Sequence, residues 1–249
     1  MYAISRDIDR ARLTDIPGLG GGRLEVVEHR SLSAVVSDVD LDEYGEEGLR
    51  ANLERLEWLE EVARGHDAVV QAVAGMGPAA PLRLATICLD DEGVRKRLDE
   101  WHDALERVLD RVQGRMEWSV KAFTAAPGTA PTGQPQTEAP ASSGGADYLR
   151  RKKAESEARL AGEEKGLQLA EELHAAISSM SAASRRLAPQ DPRLTGHEGT
   201  MVLNGAYLVD VDDGPTFEAA VRALVAAHPD AGIVLGGPWP PYSFATLEQ

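Results

Sequence analysis

Leu24-Glu25-Val26-Val27-Glu28 and Leu32-Ser33-Ala34-Val35-Val36, joined by His29-Arg30-Ser31, decide the class of the first half of this chain. Both runs are rich in β-branched and aliphatic residues, and the polar residues between them suit a turn, so the stretch predicts a β-hairpin. Upstream, Tyr2 to Ile8 is a short strand candidate. Downstream, Leu49, Leu53, Leu56, Leu59 and Val62 recur at three and four residues and predict a helix over about 46–74, which Pro78 and Pro81 end. Leu82 to Leu89 then predicts a strand, Asp90 or Asp91 an N-cap, and Val94, Leu98, Trp101, Leu105, Val108 and Val112 the apolar stripe of a second helix. Met116 to Phe123 returns to strand. Strand, strand, strand, helix, strand, helix, strand is the order of a ferredoxin-like α+β sandwich with an added hairpin, its helices covering one face of the sheet.

Residues 125–146, AAPGTAPTGQPQTEAPASSGGA, carry almost no large apolar side chain. Such a composition cannot offset the entropy of ordering, so a flexible loop is expected there. It divides the chain into an N-terminal α+β domain at 1–124 and a smaller C-terminal α+β domain at 147–249. The latter opens on a helical pattern from about Tyr148 to Leu187, whose first part pairs Arg151 with Glu155, Lys153 with Glu157 and Glu155 with Arg159 as a solvated helix does. Its second part aligns Leu167, Ala170, Leu173, Ile177, Met180 and Leu187. A helix of that span would reach about 60 Å, more than one compact domain needs, so part of it is expected to project or to bridge the halves. A strand at about 200–211, a helix at about 215–228 with Phe217, Val221, Leu224 and Val225 on one side, and a strand from Gly232 to Leu235 follow. LATICLDDEGVRKRL and AYLVDVDDGPTFEAAVRAL echo each other: each reads as strand, two aspartates, helix.

The 249 residues, 43% hydrophobic and 27% charged, have ordinary globular composition and contain no run of about 20 apolar residues that would span a membrane. Charges at Arg6, Asp7, Asp9 and Arg10 are unlike a signal peptide, so the expected location is the cytoplasm. A net charge of −15 argues against nucleic acid, whose binding rests on Lys and Arg neutralising phosphates. Partners should be proteins.

A search for chemistry leaves little. Histidines at 29, 66, 102, 174, 197 and 228 include no helical ligand pair, and one cysteine allows no CxxC site, so no metal is expected. Cys88, between Ile87 and Leu89, reads as packing rather than nucleophile. Gly18-Leu19-Gly20-Gly21-Gly22 lacks phosphate-cradle spacing and reads as a loop, and no cofactor is expected. Asp90-Asp91 and Asp212-Asp213 stand where helices begin and read as caps. In the tail, Gly236-Gly237-Pro238-Trp239-Pro240-Pro241-Tyr242-Ser243-Phe244, prolines and glycines remove regular structure while three aromatics must be placed, so an extended course across a surface is expected. Trp239, Tyr242 and Phe244 either pack on their own domain or form a partner-binding strip.

GPWPPYSF at 237–244 resembles the closing signature of the gas vesicle L/F family. Four further segments agree in order: Pro81 to Thr86 with its PLRFGT-like strand, Glu117 to Lys121 with its EWxVK strand, Asp147 to Lys152 with its DYLxxK helix start, and Asn204 to Val209 with its NxAYLV strand. The chain departs from the family in Leu84-Ala85, where Phe-Gly is usual, and in the insertion at 125–146. The resemblance implies two α+β domains, the first a modified ferredoxin-like fold, and no catalytic residues. It implies a role in gas vesicle assembly, by chaperoning or nucleation, with the small hydrophobic shell protein and other accessory proteins as partners. A small-molecule-binding or enzymatic ferredoxin-like module is the alternative, since such folds host many functions.

Overall fold

A computed structural model describes residues 1–124, 145–191, 196–197 and 199–245. The stretch expected to be a flexible loop, 125–146, lies outside the described residues apart from its last two. The protein is α+β, with two compact units: one of Met1–Glu117, Leu208–Val211 and the residues from Pro238, the other of the described residues in Trp118–Tyr207 with Asp212–Gly237.

The first unit, the modified ferredoxin-like one, holds a four-stranded sheet in the order β2-β3-β1-β4, from β1 (Ala3–Ser5), β2 (Glu25–His29), β3 (Leu32–Val36) and β4 (Ala79–Pro81). Its pairs are antiparallel, and His29 opposite Leu32 closes the expected hairpin with Arg30 at φ 55°. Side chains alternate between the faces, so Val27, Ala34, Ile4 and Ala80 form one row while Val26, Val35 and Ala3 form another. The first row is buried with Val94, Leu98, Leu105 and Leu109 of α4 (Asp91–Val112), the second with Val69, Val70 and Val73 of α3 (Leu56–Ala74). Helices therefore cover both faces, not one. Both rows are apolar, and neither leaves a polar face for water.

Helix α4 follows its stripe, and Asp90 caps it by accepting from the Gly93 amide at 2.7 Å. Fully burying a leucine such as Leu98 or Leu105 is worth about 1.5–3 kcal/mol. The earlier helix is broken: α1 (Leu41–Tyr44) and α2 (Glu46–Asn52) precede α3. Leu53 and Leu56, placed by spacing on the buried stripe, are exposed, because after the break burial takes a new phase through Trp58, Val62, His66, Val69 and Val73. Nor is Leu82 to Leu89 a strand. Ala85 takes φ 61°, a left-handed conformation that no strand continues through, and pairing stops at Pro81.

The second sheet has the order β6-β7-β5-β8, with β5 (Arg115–Thr124), β6 (Ala183–Arg186), β7 (Thr200–Asp210) and β8 (Gly232–Trp239). Helix α5 (Gly145–Ser178) ends nine residues before the expected Leu187, because serines replace it. Ser179 and Ser181 hydroxyls donate to the Ala176 and Ile177 carbonyls, and the Leu187 amide donates to Asn204 of β7. Of its expected stripe, Ala170, Leu173 and Ile177 are buried and Leu167 is exposed. Lys153 does pair with Glu157, at 3.8 Å, whereas the expected pairs of Glu155 lie outside the described side chains. Phe217 of α6 (Gly214–Ala227) meets Trp118 and Tyr207, with ring centroids 5.6 and 6.3 Å apart. Asp212-Asp213 does not cap α6: both lie in a 3₁₀ turn, and the Asp213 side chain makes no capping bond.

Candidate functional site

The C-terminal segment begins as a strand. β8 runs through Pro238 to Trp239, which is permitted because β8 is the last strand in its sheet and Pro238 lacks only an amide. The chain then turns rather than continuing as an extended strip: the Phe244 and Ala245 amides both donate to the Pro241 carbonyl, at 3.1 and 3.0 Å.

That turn separates the three aromatics. Phe244 is buried, and its carbonyl accepts from the Arg111 guanidinium. Beside it, the Ser243 amide and hydroxyl donate to the two Glu117 carboxylate oxygens at 2.7 and 2.6 Å, and Ala245 enters the core with Ile4 and Leu105. Tyr242 is 36% exposed and Trp239 47%, so these two remain within reach of another molecule. The Tyr242 hydroxyl donates to Asp67 at 3.1 Å, and burial first, then the Asp67 carboxylate, pushes its pKa up. Segments remote in sequence, Pro81–Thr86, Glu117 and Tyr242–Phe244, are thus drawn into one region of the first unit.

Tyr242 forms one wall of a groove of about 920 Å³. Ala63, His66 and Asp67 of α3 form a second wall, Leu84 and Ile87 of the loop after β4 a third, and Arg97 and Trp101 of α4 a fourth. The Arg97 guanidinium lies over the Trp101 ring, 4.8 Å from its centroid. His66 Nε2 is 3.1 Å from the Leu82 carbonyl, and its ring lies 5.4 Å from that of Tyr2. Burial lowers the His66 pKa, so the imidazole is neutral at pH 7 and the loop is tied to α3 through an Nε2–H donor. Asp67 accepts from Tyr242 while His66 serves Leu82, so the groove offers apolar surface and arginine charge rather than a free acid–base pair. Leu84, Ile87 and Trp101 were not legible as site residues, since Trp101 fits the core stripe of α4 and the loop reads as a strand. Cys88 lies half-buried in that loop, its Sγ 3.4 Å from Met1 Sδ. Among the described residues no group of three or more His, Cys, Asp or Glu side chains is placed to hold a metal ion, and no helix is long and apolar enough to cross a membrane.

Comparison with known proteins gives a consistent result. Residues 1–246 match the family model described as gas vesicle synthesis protein GvpL/GvpF. The chain is 40% identical to gas vesicle protein L of Streptomyces sp. (strain CB03234) over 253 aligned positions, covering 100% of this chain and 93% of that protein. It is 26% identical to gas vesicle protein F2 of Halobacterium salinarum (strain ATCC 700922 / JCM 11081 / NRC-1), covering 99% and 91%. It is 25% identical to gas vesicle protein F of the same Streptomyces strain, covering 98% of each. In fold it is similar to the crystal structure of GvpF from Anabaena sp. PCC7120, with a TM-score of 0.70, 18% identity and coverage of 100% of this chain and 95% of that one. The whole length of the chain carries the likeness in sequence and in fold, and the protein belongs to the GvpL/GvpF family of gas vesicle synthesis proteins.

Proposed function

We propose that this chain serves gas vesicle assembly by holding the small hydrophobic shell protein in the groove beside Tyr242, with other accessory proteins as further partners. The observation that carries the reading is the exposed edge of Tyr242 in a groove with Leu84, Ile87 and Trp101, on a chain of net charge −15. A hydrophobic protein awaiting assembly needs its apolar surface covered, and a strongly acidic carrier keeps the complex in solution. Each Å² of apolar surface removed from water contributes about 25 cal/mol before the costs of association, so contact area governs affinity and charge governs encounter rate. The carrier role involves no covalent chemistry. Its place is the cytoplasm, at the growing vesicle.

Trp239→Ala and Tyr242→Ala, singly and together, test this when shell-protein capture and unfolding are measured on the same samples. The double variant is expected to lose capture while unfolding shifts by only about 1 kcal/mol, the scale of the lost Tyr242 to Asp67 hydrogen bond. Phe244→Ala, which removes a buried anchor, is expected to cost about 3–5 kcal/mol and to lose capture only with the fold. Capture that survives the double variant, or that collapses in high salt, overturns the proposal.

A further inference from the structure

A second groove, of about 290 Å³, lies across the 82–91 loop from the first, and its character is opposite. Val39 and Tyr44 line it with Ile87, and Leu41 and Leu89 border it with 59% and 89% of their surfaces in solvent. Two leucines so exposed beside an apolar depression form a surface left ready for another molecule. The charged side chains that line the groove have one sign, although the Met1 amino group also lines it and donates to the Thr86 carbonyl at 2.9 Å. Asp38, Asp90 and Asp91 border this groove and, among the described residues, no lysine or arginine does, whereas Arg83 and Arg97 with Asp67 border the first. From Asp38 to Glu61 the chain has ten carboxylates against two arginines, so the field extends along α1, α2 and the start of α3. Some of these charges are engaged internally: Glu46 meets Arg50 at 3.4 Å, Glu60 meets Arg64 at 3.1 Å, Asp40 accepts from the Asp42 amide at 2.8 Å and Glu43 from the Trp58 indole at 2.5 Å. At the groove itself Asp91 meets Arg95 at 3.3 Å in an exposed pair that solvent screens.

We infer that this groove receives a basic amphipathic helix of a partner protein. An apolar helix face fits between Leu41 and Leu89, and lysines or arginines on its flanks meet the carboxylates of Asp38, Asp91 and α1. A hydrophobic segment without charge would gain from the leucines alone, and an acidic one would be repelled. A second copy of this chain is the weaker occupant, since its basic run at Arg150, Lys152 and Lys153 is followed by glutamates that it pairs with itself, as Lys153 does with Glu157.

The full chain is titrated against two fluorescent helix-forming peptides of about 14 residues, four helical turns, one of leucine and lysine and one of leucine and glutamate with the same spacing. The lysine peptide is expected to bind at least about tenfold more tightly. Leu41→Ser with Leu89→Ser changes only exposed side chains and is expected to weaken that binding at least about fivefold with an unchanged unfolding midpoint. Asp38→Asn with Asp91→Asn is expected to weaken it and to flatten its dependence on salt. Amide exchange should slow at 38–44 and 86–94 on binding. Equal binding of the two peptides overturns the inference, as does lysine-peptide binding indifferent to the leucine pair, which would reflect net charge alone. Self-association of the peptide-free chain that the leucine pair abolishes overturns it in favour of a second copy.

Discussion

Leu84-Ala85-Thr86-Ile87-Cys88-Leu89-Asp90-Asp91 and Ala206-Tyr207-Leu208-Val209-Asp210-Val211-Asp212-Asp213 read alike, and the molecule uses them in opposite ways. The second runs along β7 as far as Asp210, between β6 and β5, where Leu203 to Val209 are all buried, and ends in the 3₁₀ turn at Val211–Asp213. The first follows a strand that stops at Pro81, turns through a left-handed Ala85 and leaves Leu89 in solvent. Apolar content alone does not make a strand. A paired neighbour does, and where it is missing the same side chains become the walls of grooves. The caps reverse as well, since Asp90 holds the Gly93 amide while Asp213 holds none.

The most damaging way to probe this contrast is to remove one side chain from each segment. Tyr207→Ala empties a fully buried site between Phe217 and His174 and is expected to cost about 3–5 kcal/mol in chemical denaturation. Leu89→Ala is expected to stay within about 0.5 kcal/mol of the parent. A comparable cost at both sites would mean that Leu89 is buried in solution.

Acid comes next, because a histidine supports each segment. His66 bonds the Leu82 carbonyl and His174 the Tyr207 hydroxyl, at 3.1 and 3.0 Å. Both have lowered pKa values, with burial the leading cause and the Arg186 charge second for His174. A lowered histidine pKa means that the unfolded chain takes up protons more readily than the folded one below its ordinary value of about 6.5. The stabilisation is therefore complete above that pH and is lost progressively as pH falls below it. Thermal midpoints should drop over this window, less steeply in His66→Gln, which keeps a donor for Leu82 without a titrating ring. Carboxylates lowered by their partners, such as Glu106 held by Ser31 and Arg6, add their own loss only further down, in the carboxylate range.

Removing the caps should separate the segments by less. Asp90→Ala is expected to cost about 1 kcal/mol and Asp213→Ala no more than about 0.5, because only the former breaks a capping bond. Equal losses in a pair of denaturation curves would contradict the geometry of the two turns.

How far the fold could be read from the chain follows from the same particulars. The hairpin, the stripe of α4 and the strand at 200–210 each carry a local period with a matching turn or cap, and each stands where it was expected. The break at Leu53 to Arg55 contains neither glycine nor proline, and leucine spacing runs through it unbroken, so only the burial of Trp58 reveals the new phase. The end of α5 is set by serine hydroxyls reaching backbone carbonyls, which helical periodicity does not register. In the candidate site the tail aromatics were visible as residues needing a place. Their division into a buried Phe244 and exposed Trp239 and Tyr242 depends on Glu117, Arg111 and Asp67, which no local pattern connects to the tail.

The smallest effect concerns the residue at which the two segments part. Ala85 occupies φ 61°, where an L side chain is strained by about 1–2 kcal/mol and glycine is not. Glycine brings its own cost, since it leaves the unfolded chain with more freedom to lose, roughly 0.5–1 kcal/mol. The difference favours glycine, so Ala85→Gly should stabilise the protein by about 0.5–1 kcal/mol, seen as a rise in denaturation midpoint with unchanged slope. The gain should come without altered binding at either groove, because Ala85 contributes only a methyl to the second and none to the first. A loss of stability would place Ala85 in an extended conformation, and with it the loop would revert to the strand that its neighbours suggest.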